Sequence, residues 1–147
     1  MNEISPLQQA LNTWSTLYMQ QSMAGFMHFM RQNSLSYSQI SVLARLQQHG
    51  PTDIISISRE LQISKAGAGQ LIHRMNQAGW VELNSSDTDK RTRLISLTDA
   101  GKQLVQASNQ ARQQWMTELA ANLPKDQKDE LLQALTCLID RFSKPTI

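Results

Sequence analysis

Residues 87–101 read DTDKRTRLISLTDAG, and this stretch decides which fold the chain is expected to adopt. It opens with a charged loop, DTDKR, and continues into RLISL (93–97), whose alternation with a period of two is typical of a half-buried strand. Thr98 then stands where a helix N-cap is expected, and Asp99 brings an acid into the first helical turn, where it suits the helix dipole. Because a second short strand, WVEL (80–83), precedes the loop, the sequence predicts a hairpin whose charged tip is suited to touch a phosphate backbone.

The segment before this hairpin has the pattern of a helix–turn–helix. Apolar residues at helical spacing are interrupted at HGPTD (49–53), where glycine and proline break a helix. A short helix is predicted over about 53–61, and Ser64 then stands as the N-cap of a helix over about 65–78. Gly79 suits the C-terminal cap of that helix. Helix–turn–helix, strand, charged loop and strand follow one another in the order of a winged helix.

Long amphipathic helices are predicted on both sides of this module. The first covers about 5–30, another runs from Thr98 to about Asn122, and Pro124 opens the last. Their apolar seams are larger than the central module can cover, so we expect them to cover one another and a second copy of the chain in a closed two-fold dimer. The seam residues are Leu7, Leu11, Trp14 and Tyr18 in the first helix and Leu131, Leu135, Leu138 and Phe142 in the last.

The expected fold class is therefore mainly α with a small β-hairpin wing (α+β), that is, a winged helix–turn–helix flanked by long dimerisation helices. Three domains correspond to it. They are an N-terminal dimerisation helix (1–34), the winged helix–turn–helix module (35–98) and the C-terminal dimerisation helices (99–147).

Composition excludes several classes of protein. The 147 residues carry a net charge of +2, which is weak support for a nucleic-acid partner. No apolar run reaches the roughly 18 residues of a transmembrane helix, and the first residues lack the pattern of a signal peptide, so a cytoplasmic location is expected. Cys137 is the single cysteine and is expected to be buried and inert rather than a redox switch, because reactive thiols need exposure and positive surroundings.

Catalytic and metal-binding patterns are absent from the sequence. His28, His49 and His73 are scattered and suggest no zinc site. There is no nucleophile paired with a base and no phosphate-binding glycine loop. We therefore expect no enzymatic activity, no cofactor and no metal.

Taken in order, the motifs make the chain resemble a MarR-type transcriptional regulator over nearly its whole length. The matching segments are LSYSQ (35–39), GPTDIISISREL (50–61), SKAGAGQLIHRMNQAG (64–79), Asp89 and Arg91 in the wing, and LTDAG (97–101). The resemblance implies a DNA-binding dimer whose recognition helix, 65–78, enters a major groove while the wing reaches the adjacent minor groove.

The resemblance assigns DNA contacts to the recognition helix and the wing. Gln70 could pair bidentately with adenine, and Arg74 could reach phosphate or guanine. Arg91 would enter the minor groove, held in position by a charge-assisted hydrogen bond that its guanidinium donates to Asp89, although a solvated hairpin tip is the alternative. The expected DNA-binding residues are Ser64, Lys65, Gly67, Gln70, Arg74, Asp89, Lys90, Arg91 and Arg93.

In three places the chain departs from the family pattern. Gln70 stands where the family usually has arginine, and Leu83 and Asn84 stand where basic residues usually end the strand. Gln62 occupies a position in the turn that is often glycine. The first two departures remove phosphate-binding charge, so they bear on affinity and operator type rather than on the fold.

In this family the first helix flanks an effector cleft between the dimer region and the DNA-binding lobes. Adaptable methionines and aromatic side chains would suit a small aromatic effector there. A dimer core without any ligand is the alternative, since such a helical face is usually just core. The candidate effector residues are Trp14, Tyr18, Met23, Phe26 and Met27.

The sequence thus predicts a homodimeric, sequence-specific transcriptional regulator of repressor type that binds a pseudo-palindromic site in double-stranded DNA. The expected partners are DNA, a second copy of the chain and, in the effector interpretation, a small aromatic molecule; no membrane is expected. The alternative is a dimeric protein-interaction module of the same fold that has lost or weakened DNA binding, as the uncharged Gln70, Leu83 and Asn84 would allow.

Overall fold

The computed structural model describes residues 5–85 and 93–143. In chain order the elements are α1 (Pro6–Gln32), α2 (Tyr37–His49), β1 (Thr52–Asp53), α3 (Ile54–Glu60), α4 (Lys65–Gln77), β2 (Val81–Ser85), β3 (Arg93–Leu97), α5 (Asp99–Asn122) and α6 (Lys125–Ser143). The predicted fold class is confirmed. The chain divides into two compact units, Met1–Arg112 and Gln113–Ile147, and this division falls inside α5. The functional division into 1–34, 35–98 and 99–147 stays a prediction.

The first unit contains a three-stranded antiparallel sheet in the order β1-β3-β2. β2 and β3 pair along their whole lengths and form the predicted hairpin. β1 was not predicted: Thr52 lies opposite Ile95, and Asp53 lies opposite Leu94. A strand of two residues is too short to show an alternating pattern, so it could not be recognised in the sequence. Its consequence is that the start of α3 lies beside the strand that leads out of the wing.

One apolar core holds the first unit together. It is formed by inward faces of α1, α2, α3, α4 and α5 together with β2 and β3. Burying each large apolar side chain contributes about 1.5–3 kcal/mol, so this core dominates the stability of the unit. The largest fully buried side chains are Phe26, Val42, Leu43, Ile57, Ile72, Met75, Val81 and Ile95.

Each helix of the first unit begins at a residue whose side-chain oxygen accepts a hydrogen bond from a backbone N–H of the first turn. This is why the predicted helix starts agree with the structure to within about one residue. Gly79, with φ of +75°, ends α4 as predicted, since glycine enters the left-handed region without strain. The capping residues are Ser5, Ser36, Asp53, Ser64 and Thr98.

Two glycines allow backbones to approach closely around α5. A Cβ atom on Gly101 would lie 2.1 Å from the carbonyl oxygen of Trp80, and one on Gly25 would lie 2.2 Å from that of Ala111. Thr98 supports the contact between Gly101 and Trp80, because its hydroxyl donates a hydrogen bond to the carbonyl oxygen of the neighbouring Gly79 at 2.6 Å. The first half of α5 is thereby fixed against α1 and the start of β2.

The second unit consists of the end of α5 and all of α6. The Lys128 ammonium donates to the Ala121 carbonyl oxygen at 3.2 Å across the short connection. Every residue of α6 is described, and none of them is buried. The large apolar side chains exposed on this helix are Leu131, Leu132, Leu135, Leu138, Ile139 and Phe142.

Cys137 is exposed, so the expectation of a buried thiol is wrong. It lines a shallow groove on α6 together with Gln133, Thr136 and Arg141 among others. Helical spacing of about 3.6 residues per turn puts it on the side away from the seam of Leu131 and Leu135. The apolar seam therefore gives no reason to expect burial of the thiol.

Within the described ranges, no helix is long and apolar enough to cross a membrane.

Candidate nucleic-acid interface

One face of α4 packs against the core, and the opposite, polar face is exposed to solvent. Ser64 caps it by accepting from the backbone N–H of Gly67 at 3.0 Å. Four apolar residues anchor the inner face: Ala68, Leu71, Ile72 and Met75. With about 3.6 residues per turn, the side opposite them carries Ala66, Gln70, His73 and Gln77, all of which are exposed. A stripe that carries amide and imidazole side chains thus runs along the exposed side of α4.

The residues assigned to this helix from the sequence fall only in part on that stripe. Gln70 lies on it, whereas Lys65 and Arg74 are exposed on its two flanks. Gly67 is half-buried, and a Cβ atom there would lie 3.2 Å from the Ser64 hydroxyl oxygen. His73 was overlooked, although the inward residues recognised in the sequence already fix which side faces outward.

A surface groove of about 580 Å³ lies between α3, the first residue of α4 and β3. It brings together Lys65 and Arg93, which the sequence assigned to different parts of the interface. Arg59 of α3 also lines it and was not singled out from the sequence. The groove exists because β1 pairs with β3 and thereby places the start of α3 next to Arg93. The described residues that line it are Asp53, Ile54, Ile55, Ser56, Arg59, Lys65 and Arg93.

Among the described residues of this lining Asp53 is the one carboxylate, and its oxygens are already engaged. It accepts hydrogen bonds from the backbone N–H of Ile55 at 2.8 Å and of Ser56 at 3.0 Å, and from the Ser56 hydroxyl at 2.9 Å. These bonds, the backbone bond from Ser56 foremost, lower the pKa of Asp53 below its usual value because they favour the charged carboxylate. Asp53 therefore remains ionised while it caps α3.

The turn between α3 and α4 contains a residue in the left-handed region. Gln62 has φ of +53°, a conformation that favours glycine. This explains physically why the family often has glycine where this chain has glutamine. Hydrogen bonds from the backbone N–H of Gln62 to the Arg59 carbonyl oxygen and of Ile63 to that of Ser58 hold the turn closed. An ion pair between Arg45 and Glu60 also links α2 to α3.

A small hydrogen-bonded cluster joins the two strands at the base of the wing. The Asn84 amide nitrogen lies 3.2 Å from both the Glu82 carboxylate and the Ser96 hydroxyl, and that hydroxyl donates to Glu82 at 3.2 Å. Asn84, which stands where the family usually has a basic residue, thus serves to bridge β2 and β3. The wing residues assigned from the sequence, Asp89, Lys90 and Arg91, lie outside the described residues.

The candidate effector residues on α1 do not share one environment. Phe26 is only 1% exposed and belongs to the core, with the Arg112 guanidinium 3.6 Å from the centre of its ring. Trp14, Tyr18, Met23 and Met27 are exposed at 40% or more. Trp14 lines a shallow groove whose other members are Pro6, Gln9, Ala10, Thr13 and Leu17. That groove includes none of the other four candidates.

Comparisons with known proteins agree with this geometry. Residues 33–92 match a family model described as the MarR family. A protein of Mycobacterium leprae named as an uncharacterised HTH-type transcriptional regulator is 27% identical over 109 residues, which are 74% of this chain and 76% of that protein.

Solved structures show the same fold at low sequence identity. A transcriptional regulator of Thermotoga maritima superimposes with a TM-score of 0.70 at 18% identity, covering 95% of this chain and 98% of the other. A mutant MepR of S. aureus, solved bound to an oligodeoxyribonucleotide, superimposes with a TM-score of 0.66 at 17% identity, covering 94% and 99%. The fold of the described residues is thus shared with these regulators.

Proposed function

We propose that this chain, whose residues 33–92 match a MarR-family model, is a DNA-binding transcriptional regulator that acts as a homodimeric repressor on a pseudo-palindromic site. The observation that carries this proposal is the placement of α4. Its inner face is locked into the core by Leu71, Ile72 and Met75, so its outer face is rigidly presented. That face combines amide and imidazole groups with flanking cations, the side chains that read base edges and contact phosphates.

We assign the contacts by position on the helix and hairpin. Gln70 and His73 face the major groove and read base edges, while Arg74 contacts phosphate or guanine at one flank. Lys65 and Arg93 contact the backbone near the N-cap Ser64, where Gly67 allows close approach of the helix to the groove. Asp89, Lys90 and Arg91 would extend the interface into the adjacent minor groove. Affinity then comes mostly from phosphates and specificity from a few side chains on α4.

The proposed dimer is supported by apolar surface that each unit leaves exposed. α1 exposes Leu7, Leu11 and Leu17 in the first unit, and α6 exposes Leu135 and Phe142 in the second. Monomeric proteins rarely expose contiguous apolar faces of this kind. Covering them with a second copy through α1, α5 and α6 gives a two-fold axis, and two recognition helices related by that axis read inverted half-sites.

Repression follows most simply from a dimer that covers its site and blocks transcription. We also propose that a small aromatic effector releases the dimer from DNA. Trp14, Tyr18, Met23 and Met27 supply exposed aromatic and methionine surface for such a ligand, whereas the burial of Phe26 supports a structural role for that residue.

The alternative function is a dimeric interaction module with weakened DNA binding. Glu82 favours it, because an acid at the base of the wing, close to Asn84 and Ser96, would repel phosphate. Repeated selection of duplexes from a random-sequence pool separates the two. Enrichment of an inverted repeat, bound by two chains, supports the repressor, whereas failure to retain any duplex at low salt supports the interaction module.

A further inference from the structure

The groove that holds Arg59, Lys65 and Arg93 lies between the two parts of the proposed DNA interface. One wall is the first residue of α4, and the opposite wall is β3, the strand that leads out of the wing. In duplex DNA a major groove and the adjacent minor groove are separated by one sugar–phosphate strand. If α4 enters the first groove and the wing enters the second, that strand has to pass between them.

We infer that this groove binds one backbone phosphate of that strand, and that Arg59 is a phosphate contact together with Lys65 and Arg93. The inference rests on the proposed function and names a contact that neither the motifs nor the recognition helix supplies. It also gives α3 a part in binding DNA, in addition to its packing against α4.

The charges of the lining fit a phosphate. Among the described residues of the lining, three cations face one carboxylate, Asp53, whose oxygens accept hydrogen bonds from Ile55 and Ser56. A net positive charge therefore remains for a ligand, and a phosphodiester carries a single negative charge. A guanidinium offers two parallel N–H donors to phosphate oxygens, which makes arginine better suited than lysine to a bidentate contact.

The three cations are also available for binding. Arg59, Lys65 and Arg93 are exposed. The ion pairs among the described residues join Arg45 to Glu60 and Lys102 to Asp99, so neither uses a cation of the groove. Ile55, 44% exposed, adds an apolar wall suited to contact the deoxyribose beside the phosphate.

The test compares Arg59→Gln with Arg31→Gln, a matched control that removes an exposed arginine from the last turn of α1, outside the groove. Binding of the wild-type chain and both variants to the duplex enriched from the random pool is measured across a salt series. We expect Arg59→Gln to weaken binding by about tenfold, the scale of one hydrogen bond to a charged group. Its log–log salt slope should shrink by up to about 0.9 per subunit. Arg31→Gln should match the wild type in both quantities.

A second measurement locates the phosphate. Single phosphates of the duplex are replaced in turn by neutral methylphosphonate. The wild type and Arg31→Gln should lose affinity at one particular position in each half-site, and Arg59→Gln should be indifferent to the replacement there. The inference is overturned if Arg59→Gln binds like Arg31→Gln, or if no position exists at which Arg59→Gln has lost its sensitivity. Failure of the wild type to enrich any duplex would instead contradict the proposed function, and this inference with it.

Discussion

The winged helix–turn–helix module and the helix α6 use apolar residues in opposite ways. The module buries Leu43, Ile72 and Ile95 almost completely and caps its helices with its own side chains. α6 is also rich in leucine, yet all of its residues are described and none is buried; Phe142 is 84% exposed. The comparison teaches that the module has a complete core within one chain, whereas α6 has an apolar face whose burial requires something else. We propose that a second copy of the chain supplies it.

The sharpest way to break this comparison is to place a charge in the seam of α6. Leu135→Glu removes an apolar contact from both copies and buries a carboxylate, so the dimer should weaken by about 3–6 kcal/mol, or at least a hundredfold. Analytical ultracentrifugation measures the effect. Gln133→Glu, which adds the same charge to a different side of α6, is the control and should stay dimeric. A Leu135→Glu variant that also stays dimeric would show that this seam is not the interface.

A substitution in the core of the module tests whether the module has a complete core within one chain. Leu43→Ala should lower the free energy of unfolding by about 2–5 kcal/mol, because Leu43 is 0% exposed and its removal leaves a cavity. Tyr37→Ala removes a large side chain that is 72% exposed, and its effect should stay within about 0.5 kcal/mol. Urea unfolding followed by circular dichroism provides both values. Equal effects of the two substitutions would refute the view that the module has its own core.

A smaller effect is expected at the cap of α3. Asp53→Ala should cost about 0.5–2 kcal/mol at neutral pH, the usual range for loss of an N-cap. Because the pKa of Asp53 is lowered in the folded chain, its ionised form adds stability above its unfolded pKa. This contribution to the free energy of unfolding is lost as the pH falls through the lowered pKa of Asp53 in the folded chain. The difference in melting temperature between wild type and variant should therefore narrow on acidification, and a difference that is constant with pH would contradict the assignment.

How much of this could be read from the sequence depends on how local each signal is. The helix starts were predictable because Ser36, Ser64 and Thr98 make their capping bonds within a few residues. The pairing of β1 with β3 was not, because Thr52 and Ile95 are distant in the chain and a two-residue strand has no period. The cationic groove depends on that pairing, and this is why Arg59 was missed.

The burial of single residues was predicted less well than the elements that carry them. His73 could have been found, because the inward face of α4 was recognised and its opposite side follows from helical spacing. The exposure of Cys137 could also have been found, because helical spacing places it on the side of α6 away from the seam of Leu131 and Leu135. Gln62 stands at a turn position where the family often has glycine, and its backbone lies in the left-handed region. The departure from the family pattern therefore pointed to the correct backbone conformation.

We propose that α4 reads base edges with a face that contributes nothing to the core, and substitution of Gln70 is the most direct test. Gln70→Ala is measured for binding to the enriched duplex and to a random-sequence duplex, and for thermal unfolding. We expect Gln70→Ala to weaken specific binding by about 1–3 kcal/mol, the value of a good bidentate base contact. Non-specific binding and the melting temperature should stay nearly unchanged. A large loss of thermal stability, or equal weakening on both duplexes, would contradict it.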